Sequence, residues 1–118
     1  MHIVIKRVYE PAAPHDGFRV LVDRLWPRGL SKERARVDLW LKDIAPSNEL
    51  RRWFNHEEAK WLEFQRRYKE ELDAAPDAVR ALREAAKGRD TLTLLYGARN
   101  ERHNQALVLQ QYLSGSNA

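Results

Sequence analysis

Thr91-Leu92-Thr93-Leu94-Leu95-Tyr96 is the clearest strand in the sequence, and Gly97 ends it. Helical patterns flank it. Upstream, Pro76 opens a helix with Val79, Leu82 and Ala86 inward and Gly88 as its stop. Downstream, Asn100 is placed to cap a last helix whose inner face is Ala106, Leu109, Tyr112 and Leu113. Further back, Trp61, Phe64, Tyr68 and Leu72 fall on one helical stripe. Asn55 and Glu58 have the spacing of a capping box for that helix, and Glu63 and Arg67 form an exposed i,i+4 pair. Pro46-Ser47 reads as another helix entry, with Leu50, Trp53 and Phe54 on one face.

The first third supplies the other strands. Residues 3–8 are rich in β-branched side chains and carry no breaker. Residues 18–23, Phe-Arg-Val-Leu-Val-Asp, read as a buried strand after a loop marked by Pro11, Pro14 and Gly17. Ser31 caps a short helix through residue 35. In residues 37–41, Val37, Leu39 and Leu41 alternate with Asp38 and Trp40, as in a third strand. Strands separated by helices predict an α/β fold, a small, mostly parallel sheet of about four strands in a three-layer, Rossmann-like arrangement. At 118 residues the chain suits a single domain over 1–118, with a frayed tail at 114–118.

Composition narrows the function classes. Hydrophobic residues make up 43% and charged residues 32%, as in a soluble globular protein. No apolar run approaches a bilayer span, and the N-terminus lacks the order of a signal peptide. A cytoplasmic protein with no membrane partner is the expectation. Without cysteine there is no disulfide, thiolate nucleophile or Cys-type metal site. His2, His15, His56 and His103 have no metal-ligand spacing, and no glycine loop cradles phosphate, so neither metal nor cofactor is expected. The net charge of +4 comes from the first 36 residues; the remainder is balanced. Such an excess suits an anionic partner, and equally a solvated basic face.

Parallel sheets hold ligands at the carboxyl ends of their strands. That edge would gather Asp23-Arg24, the Ser47 helix start, and Tyr96 with the Asn100 helix start. Asp23 could be a general base or orient a substrate, and Arg24 could grip a carboxylate or phosphate; the alternative is an internal ion pair. Trp26-Pro27-Arg28-Gly29 offers a rigid wall, another anion ligand and close backbone approach, or else a turn whose Trp26 plugs the core. Tyr96 could donate a proton, and Asn104 could face the cleft one turn into its helix; the alternative is an ordinary polar first turn. Lys6, Arg7 and Arg19 could extend the positive field.

Lys6-Arg7-Val8-Tyr9, the run Asp16 to Gly29, Ala45-Pro46-Ser47-x-Glu49-Leu50-Arg51 and Thr93-Leu94-Leu95-Tyr96 resemble the YeaO-like family, a branch of the domain of unknown function 488. The resemblance covers nearly the whole chain. It implies a compact α/β domain of bacterial or archaeal type, with Asp23, Arg24, Trp26, Pro27, Arg28, Gly29, Tyr96 and Asn104 at signature positions, and it names no activity. There is one departure. The family typically shows Asn-His-Ala where this chain has Asn104-Gln105-Ala106. His103 stands two residues away, about 200° around a helix, and does not replace that imidazole.

These readings lead to an enzyme, or former enzyme, acting on a small anionic, phosphate- or nucleotide-like substrate. Asp23 and Tyr96 would be the catalytic groups, and Arg24, Trp26, Arg28, Gly29 and Asn104 the substrate-binding ones. The competing reading is a non-catalytic module for nucleic acid or an anionic effector, which predicts a broad basic surface. A protein-partner role would show instead as an exposed apolar patch around Trp40 or Trp53.

Overall fold

A computed structural model describes residues 1–115. The strands are β1 (His2–Arg7), β2 (Phe18–Leu21), β3 (Leu39–Trp40) and β4 (Thr91–Tyr96). They form one four-stranded sheet in the order β1-β4-β2-β3, with every pair parallel. The helices are α1 (Lys32–Ala35), α2 (Asn48–Phe54), α3 (Trp61–Asp73), α4 (Pro76–Ala86) and α5 (Gln105–Gly115). The α/β class and the small parallel sheet are as the sequence predicts. Short 3-10 turns at Pro14–Asp16, Lys42–Ile44 and Glu58–Lys60 complete the path.

β4 lies inside the sheet because both its faces can be buried, with the hydroxyl of Thr93 satisfied by the Asp16 carbonyl at 2.6 Å. Leu92, Leu94 and Tyr96 join Val20 and Val22 in the main core, against α2 to α5. On the other face Leu95 meets Leu21, Val8 and Ala35, with Trp26, Leu30, Val37 and Trp40 packed around them. The two layers are unequal: four helices cover one face, while α1 and the Trp26 loop cover the other. The predicted third strand is short. Leu39 and Leu41 turn toward the main core and Trp40 away from it, as the alternation predicts, but Val37 packs on the same side as Trp40, and only residues 39 and 40 pair in register with β2.

Local chemistry explains the boundaries. Ser31 and Ser47 cap α1 and α2 by accepting from Arg34 N at 3.2 Å and Leu50 N at 3.1 Å. Asn55 does not cap α3. It ends α2 in the left-handed region at φ 44°, and α3 starts without a side-chain cap. The Asn55–Glu58 spacing was coincidental because a 3-10 turn intervenes. Glu63 and Arg67 do pair, at 2.9 Å. α5 starts later than Asn100: Asn104 is its cap and accepts from Leu107 N at 3.0 Å, while Asn100 closes the preceding turn. α5 includes Ser114 and Gly115, and the rest of the expected tail, 116–118, lies outside the described residues.

Much of the basic excess near the N-terminus is structural. Arg19 is 4% exposed and Asp16 3%, and they pair at 2.5 Å. Arg19 also donates to the Ala35 and Arg36 carbonyls at 2.7 and 3.0 Å, tying β2 to the end of α1. Lys6 bonds both Asp16 oxygens, and Arg7 donates to the Ala98 carbonyl. Burial alone would raise the Asp16 carboxyl, but the Ala13 N–H, Lys6 and Arg19 outweigh it and hold it below the ordinary range. Gly17 lets this turn close: at φ 66°, a Cβ there would lie 2.5 Å from the Thr91 carbonyl oxygen.

Candidate functional site

The parallel ladder continues one residue past β2, where Val22 N donates to Leu95 O at 3.0 Å. This sets Asp23 beside Gly97, each at the carboxyl end of a central strand. Gly97 N donates to Asp23 Oδ2 at 2.8 Å. A Cβ on Gly97 would sit 2.9 Å from that oxygen, so a bare backbone is what permits the approach. The other oxygen, Oδ1, accepts from the Gln105 side-chain amide. Burial pushes the Asp23 carboxyl up to about 6, even though the Gly97 and Gln105 bonds and the Arg51 charge pull the other way.

Asp23 lies in the wall of a cleft of about 770 Å³, within the range of small-ligand sites. Arg24, Arg51 and Arg52 also line it, as do Asn104 and Gln105. The two adjacent arginines on α2 were not among the sequence-predicted site residues. Their signal was present: Leu50, Trp53 and Phe54 define the apolar stripe, which leaves Asn48, Arg51, Arg52 and Asn55 on the complementary face. Those four residues all border the cleft. Arg51 donates to Asn48 Oδ1 at 2.9 Å, and Arg52 has no hydrogen-bond or ion-pair partner among the described residues. Asn55 and His56, at the cleft margin, are both held at positive φ, 44° and 57°. Backbone held this way costs on the order of 1 kcal/mol or more per residue and clusters at functional sites.

The other predicted residues divide sharply. Arg24 lines the cleft but spends Nε and Nη2 on the carbonyls of Pro46 and Ala45, at 3.2 and 3.1 Å. Asn104 lines it too, with both ends of its amide engaged, one by Leu107 N and the other on the Asn100 carbonyl. Trp26, Arg28 and Gly29 are not in the cleft lining. Trp26 packs edge-on to Trp40, with centroids 5.4 Å apart, and donates to the Leu30 carbonyl at 2.6 Å. Arg28 and Gly29 are exposed, and the Arg28 carbonyl accepts from Tyr9 Oη. Tyr96 is 2% exposed in the main core, and burial raises its phenol. The run Asp23 to Gly29 thus separates at Leu25: its start faces the cleft, and its end covers the opposite face of the sheet.

The starts of α2 and α5 near this edge are capped from within the protein. Glu71 accepts from Ser47 N and Oγ at 2.9 and 2.6 Å, and Asn104 caps α5. The cationic character of the cleft comes from side chains. His103 borders it without meeting Asp23. Its ring stacks on Trp61, with centroids 4.7 Å apart, and its Nδ1 lies 3.2 Å from Glu58 Oε1. Among the described residues no group of three or more His, Asp or Glu side chains is arranged to hold a metal ion, and no helix is long and apolar enough to cross a membrane.

Comparison with known proteins gives a family. The chain is similar to the uncharacterised protein YeaO of Escherichia coli strain K12, 46% identical over 113 residues, which cover 96% of this chain and 97% of the relative. It is equally similar to uncharacterised proteins of Mycobacterium bovis and Mycobacterium tuberculosis, 46% identical over 112 residues covering 94% of this chain and 92% of each relative. No solved structure matches. A family model described as "Inactive DUF488-N3 subclade" matches residues 2–117. The chain therefore belongs to the YeaO-like DUF488 family, in the branch described as inactive.

Proposed function

We propose that this protein binds a small anionic ligand, of the phosphate-ester or nucleotide kind, in the Asp23 cleft and does not turn it over. The observation that carries the binding half is the pair Arg51 and Arg52 on the cleft face of α2, next to Arg24, with no carboxylate neutralising Arg52 among the described residues. Guanidinium forks suit phosphate oxygens, and two of them side by side on a concave surface can grip one phosphate together. The non-catalytic half rests on Gln105. An amide neither takes nor gives a proton near neutral pH, and it is the group that meets Asp23 where the family resemblance expects imidazole. The family description as inactive supports the same reading. Tyr96 takes no part in it, because its ring is packed in the core.

A small ligand is favoured over nucleic acid. Many surface cations outside the cleft are already paired: Lys60 with Glu57, Arg66 with Glu63 and Glu70, Arg67 with Glu63 and Arg80 with Asp77. The enzyme reading keeps one supporting observation, a cleft carboxyl whose affinity for protons is raised to about 6, as a general base requires.

The test is a titration of the full chain with ribose 5-phosphate, followed by backbone amide NMR shifts. Shifts should concentrate on residues 48–56 and 97–105, and Arg51→Ala/Arg52→Ala should weaken binding at least about tenfold, the cost of one charged hydrogen bond. Equal affinity in the double variant overturns the reading.

A further inference from the structure

The cleft lining carries both signs of charge. Arg51 and Arg52 supply the cations. The Asp23 carboxylate, with the Gln105 amide on its Oδ1, supplies the anion. A bare anion would be attracted by the first and repelled by the second. A ligand satisfies both only if the part that reaches Asp23 carries hydrogen-bond donors. Each Asp23 oxygen accepts one protein bond, which leaves a lone pair on each for a ligand.

The lining also has an apolar part. Leu25 borders the cleft and is 63% exposed, although the other large hydrophobics beside it are packed away. Phe54 and Phe64 also line it, stacked with centroids 4.4 Å apart. An exposed leucine at a cleft margin is apolar surface that a flat ring would remove from water. The cleft volume, about 770 Å³, accommodates a mononucleotide and is far larger than a lone phosphate needs.

We propose that the ligand is a nucleoside monophosphate whose base presents ring N–H donors, as an oxopurine does, with the base edge on Asp23, the ring against Leu25 and the phosphate at Arg51 and Arg52. This rests on the anion-binding reading of the same cleft and adds the identity of the ligand's other half. A guanine edge offers two adjacent donors to a carboxylate. An adenine edge offers an acceptor at the corresponding ring nitrogen, which would face the carboxylate lone pairs unpaired.

Calorimetric titration of the full chain at pH 7.5 with GMP, AMP and ribose 5-phosphate separates the two levels. GMP should bind at least about tenfold more tightly than either of the others. Asp23→Asn should abolish the preference, bringing GMP and ribose 5-phosphate to the same affinity, with ribose 5-phosphate binding no more weakly than to the wild type because a repelling charge is gone. Leu25→Ser, at an exposed position that the fold does not depend on, should weaken GMP several-fold without affecting ribose 5-phosphate. Equal binding of all three ligands, or discrimination that survives both substitutions, overturns the proposal and leaves the phosphate reading intact. If none of the three binds, both fail together.

Discussion

Gln105 donates its side-chain amide to Asp23 across 82 residues of sequence, joining the start of α5 to the end of β2. The bond occupies the oxygen that Gly97 leaves open, so the carboxylate is held from both adjacent strand and helix. It also lowers the carboxyl's affinity for protons, opposing burial.

Gln105→Ala should therefore raise the Asp23 midpoint above its starting value of about 6. Carbon-detected NMR titration of the side-chain carboxyl measures this directly. An unchanged or lower midpoint would mean that the amide contributes nothing to the carboxylate's stability.

Stability should vary with pH in a direction set by Asp23. Its carboxyl is raised from an ordinary 3.8 to about 6, so the folded chain binds more protons than the unfolded chain between those values. Folding stability contributed by this group is therefore highest below about pH 4, declines as pH rises, and levels off above about pH 6. The full effect is at most roughly 3 kcal/mol, from about 1.4 kcal/mol per pH unit. Asp16 acts in the opposite sense, losing stability as pH falls below the ordinary carboxylate range. Urea denaturation from pH 4 to 7 should show the decline in the wild type and lose it in Asp23→Asn.

Gly97→Ala should cost about 1–2 kcal/mol, because its Cβ would press against Asp23 Oδ2 at 2.9 Å. In an Asp23→Ala background the same change should cost far less. A double-mutant cycle by chemical denaturation gives the coupling, and additivity within about 0.5 kcal/mol would show that the two residues do not interact.

Asn104→Ala should lower stability by about 1 kcal/mol, the usual loss for a helix cap. Ligand affinity in the cleft should stay within about twofold, since both ends of the Asn104 amide already have protein partners. A tenfold loss of ribose 5-phosphate binding would instead make Asn104 a ligand-binding residue.

Arg19→Met should be far more damaging, by roughly 3–5 kcal/mol, because it leaves Asp16 buried with Lys6 as its remaining close cation. Arg19→Lys should recover little, since an ammonium cannot reach Asp16 and the Ala35 and Arg36 carbonyls together. Thermal unfolding of the two variants decides this; near-wild-type stability of the lysine variant would contradict it.

Local sequence determined most of the elements, because periodicity and capping act over a few residues. The apolar run of β4, the stripe of α3 and the Ser47 cap required no knowledge of distant parts. Local spacing also misled where the chain had two uses for one pattern: Asn55 suits the end of α2 as well as the start of another helix. Sequence likewise located Asp23 at a strand end, and resemblance marked position 105 as unusual. Only the tertiary structure decided which neighbours those residues acquired. Parallel pairing of β2 with β4 put Asp23 against Gly97, and α5 brought Gln105 to its other oxygen. The same packing enclosed Arg19 and Tyr96, left Trp26 and Arg28 on the far face, and presented Arg51 and Arg52 to the cleft. A residue's charge is written in its side chain, but whether that charge meets a partner, the core or an open cleft depends on surfaces that distant segments bring together.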